Sequence, residues 1–261
     1  MNNLLAMISI EMRKALRSRI PLFTLLGFMM LPLACAFLMF VYKDPEFARS
    51  LGILSVKAEL AAGSADWPFY LGMFAQGIAV AGILLFSLVI SWVFGREFAD
   101  GTLKDLLAVP VARSTILLAK FIVVSLWSLG IIAVVYGVGL LLGGLIGLDL
   151  WSEQLLLQGS LTVAVTACLV IAVVYPIAFL ASAGRGYLLP MGIALMLLIL
   201  ANVVAVVGWG SLFPWSIPGM YAGFTGSSAA LEPVSFWIVA CTALAGMAAT
   251  HLWWQHADQS R

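Results

Sequence analysis

The strongest constraint in this sequence is where Asp, Glu, Lys and Arg do not occur. Six runs lack all four: Ile20 to Tyr42, Trp67 to Gly95, Phe121 to Leu148, Gln154 to Gly184, Gly186 to Leu231 and Pro233 to His251. About 20 apolar residues in a helix cross the roughly 30 Å of a bilayer's hydrocarbon core, and each run reaches or approaches that length. Only 10% of the 261 residues are charged and 63% are hydrophobic, against roughly a quarter charged in a soluble domain. The sequence therefore predicts an all-α integral membrane protein, a single transmembrane domain over residues 1–261. Its six spans are expected at about 20–42, 68–94, 116–146, 155–182, 187–208 and 234–254. The fifth run is too long for one helix. Its apolar first half is taken as the span and the remainder as an outward-facing segment.

Six spans put both termini on one side, and basic residues say which. Ten of the 13 Lys and Arg residues share that side: Arg13, Lys14, Arg17, Arg19, Arg96, Lys104, Arg113, Lys120, Arg185 and Arg261. Lys43, Arg49 and Lys57 fall opposite. Lys and Arg accumulate on the cytoplasmic side, so both termini are expected in the cytoplasm, with the chain in the cell (plasma or inner) membrane. The charged N-terminal stretch is too long for a cleaved signal peptide. A net charge of +1 without a basic block offers nothing to nucleic acid. Cys35, Cys168 and Cys241 all lie in apolar runs and read as small hydrophobes. No metal site and no cofactor bound by this chain is expected.

Residues 1–19 read as an amphipathic helix lying in the interface, with Leu4, Leu5, Ile8, Met12, Ala15 and Leu16 on one face and Arg13, Lys14 and Arg17 on the other. A charge cluster that merely orients the first span would look similar. Gly139, Gly143 and Gly147, four residues apart, form overlapping small-xxx-small motifs that let another helix approach closely. Packing within the chain is the simpler use of them. Lys43 to Asp66 is long for a connector, with a short surface helix expected near Leu51 to Leu60. Trp209 to Glu232 carries Phe213, Trp215, Tyr221 and Phe224. Such aromatics favour the headgroup level, so this segment is expected to dip back into the membrane before the sixth span, as a lid or as an anchor.

The loop at 96–113 concentrates charge in a chain that otherwise avoids it. Thr102 and Asp105 have the spacing of a capping box, Leu103, Leu106 and Leu107 make a narrow apolar stripe, and Pro110 ends the pattern. A short rigid helix is expected across the ends of the second and third spans. Ser114 is expected to cap the third span and Lys120 to snorkel back to the interface. An amphipathic helix held this way suits a groove on a soluble partner; a solvated helix resting on the membrane is the alternative.

The order Glu97, Gly101-Thr102, Leu106-Leu107, Pro110, Arg113 and Lys120 resembles the signature of permease subunits of type-2 ABC exporters. The hydropathy plan is similar over essentially the whole chain, in the manner of small bacterial permeases of bacitracin- and lantibiotic-type efflux or immunity systems. Ala112 departs from the pattern, where many relatives carry a small hydroxyl residue. The resemblance implies that the loop is a coupling helix docking on a cytoplasmic ABC ATPase. It implies two such subunits, carrying ATP and Mg, and a second permease copy or paralogue. Glu97, Gly101, Thr102, Lys104, Leu107, Pro110 and Arg113 would then carry the coupling.

The residues limit the source of energy. No G-x-x-x-x-G-K-[ST] phosphate loop is present, and no cluster suited to metal-assisted catalysis stands out, so the chain is not expected to be an enzyme. Ion-coupled carriers need ionisable groups inside their spans, and none is expected here. The reading is a permease subunit of an ATP-driven exporter, moving a hydrophobic or amphipathic peptide antibiotic or drug-like substrate outward. A passive channel or secondary carrier working without an ATPase is the alternative, and an immunity or scaffold protein without a path is a third. Gln76 and Asn202 are the polar residues expected along a translocation path.

Overall fold

In a computed structural model of the chain, residues 2–44, 46, 49, 64–224 and 231–256 are described. They form α1 (Asn2–Arg17), α2 (Ile20–Lys43), α3 (Trp67–Ala99), α4 (Leu103–Ala108), α5 (Arg113–Ile146), α6 (Glu153–Val174), α7 (Pro176–Ala183), α8 (Leu188–Val206), a 3-10 turn (Gly210–Leu212), α9 (Ile217–Tyr221) and α10 (Pro233–His256). Six helical stretches are long and apolar enough to cross a membrane: α2, α3, α5, α6 continued by α7, α8 and α10. The all-α membrane fold and its six spans follow the sequence. The helix expected near Leu51 to Leu60 lies outside the described residues, as do Lys57 and Arg261.

Two of these helices are longer than a membrane crossing requires. α3 has 33 residues, about 50 Å at 1.5 Å per residue, which exceeds the hydrocarbon core by several turns. α5 has 34 residues and runs antiparallel to α3. The polar ends of both, with Arg96 and Glu97 on α3 and Lys120 on α5, lie side by side. Asp66 starts α3 by accepting a hydrogen bond from the Phe69 amide at 2.9 Å, and Ser152 does the same for α6 from Leu155 at 3.2 Å. Gly147 ends α5 in the left-handed region at φ 68°, a conformation that glycine adopts without a Cβ penalty. Lys43, at the end of α2, donates to the Gly147 carbonyl at 2.9 Å and so pins the two helix ends together.

α3 is the hub. In its most apolar window 61% of residues are buried, against 17% in α8, and α2, α5, α6, α7 and α8 all pack on it. A Cβ on Gly139 would stand 2.6 Å from the Phe74 ring, and one on Gly143 2.8 Å from the Trp67 ring. The Tyr70 hydroxyl donates to the Gly139 carbonyl at 2.7 Å in the same contact. These glycines thus bring α5 against α3 within the chain, while Gly147 serves the helix end.

The fourth span is broken. Pro176 has no amide hydrogen, and the Tyr175 amide bonds to Ala172 instead of one turn back. Sequence reading treats this stretch as one uninterrupted helix. α10 crosses at the break, where a Cβ on Gly246 would stand 2.5 Å from the Pro176 nitrogen. After α8, the 3-10 turn and α9 fold back onto the bundle. Ile217 is fully buried with Leu169 and Val173 of α6 and Val239 of α10. Residues 225–230 lie outside the described part.

Candidate functional site

The charged ends of α3 and α5 meet α1 and α4. Met7 of α1 packs with Ile116 and Ala119 of α5, and Glu11 and Ala15 are buried along the same face. Leu5 and Leu16, which the sequence groups with Ala15 on the apolar face, are exposed at 64% and 70%. Glu11 is an inward residue. It finds a cation there.

That cation is Lys120. Its side chain is fully buried rather than snorkelling, and its three N–H groups meet three acceptors. These are Val93 O at 2.8 Å, Glu97 Oε1 at 2.9 Å and Glu11 Oε2 at 3.1 Å. Lys14 closes the ring, 2.7 Å from Glu11 and 3.5 Å from Glu97. Arg96 lies 3.5 Å from Glu97 and 4.6 Å above the Trp92 ring, a cation–π contact. Burying charges is costly unless each is paired and hydrogen-bonded. The cluster meets that condition except at Glu97 Oε2, which is buried without a partner. Sequence reading missed Glu11 as a partner. The available signal was that Glu11 is the lone acid among the first nineteen residues.

α4 lies beside this cluster. Gly101, exposed at φ 69°, turns the chain out of α3 in the left-handed region that favours glycine. Thr102 occupies the N-cap position, yet its side chain makes no capping bond. The φ of −87° and ψ of 3° there depart from the extended geometry such a bond requires. The third span likewise starts at Ala112 and Arg113 without a side-chain cap from Ser114. Leu103 is buried in the chain's main core, and Leu106 is half-buried against Met7 and Ile116. Leu103 and Leu106 therefore anchor α4 to its own bundle. At the far end of α4, Ala108 is exposed, as are Val109 and Pro110 just beyond it, Val109 at 43%.

The residues expected to carry coupling separate into three groups. Gly101, Thr102 and Pro110 are at the surface. Glu97 and Arg113 work inside the chain. Arg113 donates to the Trp254 carbonyl at 2.6 Å, capping the end of α10, where a cation meets the negative end of the helix dipole. The side chains of Lys104 and Leu107 lie outside the described residues. Lys14, Arg96, Glu97, Asp100, Thr102 and Leu106 together line an open cavity of about 480 Å³ between α1, α3 and α4.

A second cavity, of about 160 Å³, lies between α3, α8 and the fold-back segment. Val80, Ile83, Asn202, Trp215, Met220 and Phe224 line it. Asn202 holds its amide on the Leu198 carbonyl at 2.9 Å. Gln76, one turn before Val80, has its Nε2 3.8 Å from where a Cβ on Gly223 would stand. Of the two path candidates, Asn202 lines this cavity, whereas Gln76 lies outside its lining, beside Gly223 of the same segment.

Comparison with known proteins joins these features. Residues 7–202 match the ABC-2 family transporter protein profile, a stretch that begins at Met7 and takes in the ion cluster, α4 and most of α8. The bacitracin transport permease protein BCRB of Bacillus licheniformis is 26% identical over 181 residues, covering 69% of this chain and 87% of the relative. With six membrane-length helices and a family match over most of its length, the chain belongs to the ABC-2 family of transporter proteins, as a membrane-spanning permease subunit.

Proposed function

We propose that this permease subunit is driven by ATP hydrolysis on a separate cytoplasmic ATPase, and that it exports a hydrophobic or amphipathic substrate such as a peptide antibiotic. One observation carries the reading. α4 is fixed by Leu103 and Leu106 to the helix ends around Lys120, so a push on its exposed Val109–Pro110 tip is delivered to α1, α3 and α5 together. A relative named for bacitracin transport supports the substrate class. The lining of the Asn202 cleft agrees with it, being apolar and aromatic with few polar groups.

On this reading the charged end faces the cytoplasm of a cell membrane, in keeping with its excess of Lys and Arg. Two permease copies, or this chain and a paralogue, enclose the path, and two ATPase subunits with ATP and Mg sit below. α1 lies at the interface and α4 is the coupling helix. The test is co-expression with an ABC ATPase subunit from the same organism: the pair should co-purify, and Val109→Asp should break the complex without preventing membrane insertion. Co-purification unaffected by Val109→Asp would remove α4's tip from the docking surface.

An ion-coupled carrier draws on one observation, the buried Lys120. Its three donors are already filled by fixed acceptors, and the group sits at the projecting helix ends. That arrangement suits a structural tie better than a moving proton.

A further inference from the structure

The outward face of α1 has a composition of its own. Glu11 and Lys14 turn inward to the ion cluster. What remains outside is Leu5, Ile10 and Leu16 among the large apolar residues, interleaved with Arg13 and Arg17, both exposed. Arg19, also exposed, follows in the two-residue turn before α2. None of the three arginines enters an ion pair among the described residues, and no acidic side chain shares that face.

The depth of this face is fixed by the chain. α2 starts at Ile20, directly after Ser18 and Arg19, so the end of α1 lies where the first span enters hydrocarbon. Just inside, α2 exposes Leu22, Phe23 and Leu26, at 56%, 59% and 55%. Guanidinium groups bind phosphate through paired, planar hydrogen bonds, and an apolar surface immediately beyond them suits acyl chains.

We propose that Arg13, Arg17 and Arg19 form a binding site for anionic phospholipid, headgroup on the arginines and acyl chains along Leu22, Phe23 and Leu26. A soluble protein is the poorer occupant, because Arg19 runs directly into the exposed apolar first turns of a membrane-length helix rather than into open water. The inference holds whether or not the chain transports anything.

The test uses the full chain, purified into nanodiscs of phosphatidylcholine with or without phosphatidylglycerol. Its association with spin-labelled phosphatidylglycerol is compared with that of spin-labelled phosphatidylcholine. The wild-type chain is expected to prefer phosphatidylglycerol, with a preference that falls as salt is raised. Each arginine at an anionic surface is worth about fivefold in binding. Arg13→Gln alone, which leaves both arginines beside α2, should lose roughly that factor. The triple variant Arg13→Gln/Arg17→Gln/Arg19→Gln should lose the preference, and the triple lysine variant should keep most of it. No preference in the wild type, or an undiminished one in both glutamine variants, would overturn the proposal. So would glutamine variants that keep the lipid preference but no longer retain a co-expressed ATPase, which would assign the face to a protein.

Discussion

The Lys120 ammonium lies 2.9 Å from Glu97 Oε1 and, on its other side, 3.1 Å from Glu11 Oε2. One fully buried cation therefore ties α1, α3 and α5 at the end of the bundle where α4 is attached. Since its third donor is spent on the Val93 carbonyl, it has no alternative partner to move to. The helices it joins are expected to shift as a unit.

Removing that cation should be severe. Lys120→Met removes the one fully buried cation and leaves Glu11 and Glu97 with only the less buried Lys14 and Arg96; breaking a buried pair costs about 3–5 kcal/mol. Thermal unfolding in detergent should show a large drop for Lys120→Met. Adding Glu11→Gln and Glu97→Gln should recover part of it. A Lys120→Met protein as stable as wild type would refute the tie.

The glycines of α5 are separated by neighbour, and their substitutions should separate too. Gly139→Ala and Gly143→Ala push a Cβ to within 2.6 and 2.8 Å of ring carbons, and overpacking of this kind costs about 1–3 kcal/mol. Gly137→Ala and Gly144→Ala meet nothing within 4 Å and should leave stability unchanged or raised. Denaturation midpoints of the four variants check the order.

Gly246→Ala is expected to be worse than Gly139→Ala. The Phe74 ring can rotate away, but the atoms facing Gly246 are the nitrogen and Cα of Pro176, at 2.5 and 2.7 Å. Backbone cannot yield without moving α10 off the break in the fourth span. Equal unfolding temperatures for the two variants would contradict the close crossing.

The two ends of α4 should answer differently to charge. Leu103→Asp buries a carboxylate at a site only 6% exposed and should impair folding by several kcal/mol, as unpaired buried charges do. Val109→Asp, at 43% exposure, should leave unfolding unchanged and act only on the ATPase complex. Measuring expression, unfolding and co-purification for both variants distinguishes anchor from docking tip.

The spans were legible because hydrocarbon forbids charge over about 20 residues, and a gap in Asp, Glu, Lys and Arg needs no partner to be seen. The glycine spacing on α5 was legible for a similar reason, since periodicity lies within one helix. Which way α1 faces was not. Its apolar residues spread over more than half its circumference, and the inward direction was decided by Glu11 meeting Lys120, 109 residues away. The same holds for Leu103 and Leu106. Their stripe announces an amphipathic helix but not whether its own bundle or a partner covers it. Arg113, exposed and expected to carry coupling, gave no sign of its bond to the Trp254 carbonyl, because that group lies 141 residues downstream. The break at Tyr175 was visible only as Pro176 in an apolar run, where membrane helices often tolerate proline.

The most direct test is substrate uptake into proteoliposomes that hold the permease together with its ATPase, in the presence of ATP. The account predicts transport that requires ATP and the ATPase, and that is lost in Val109→Asp although the variant inserts and unfolds like the wild type. Transport by the permease alone, or undiminished ATP-driven transport in Val109→Asp, would contradict it.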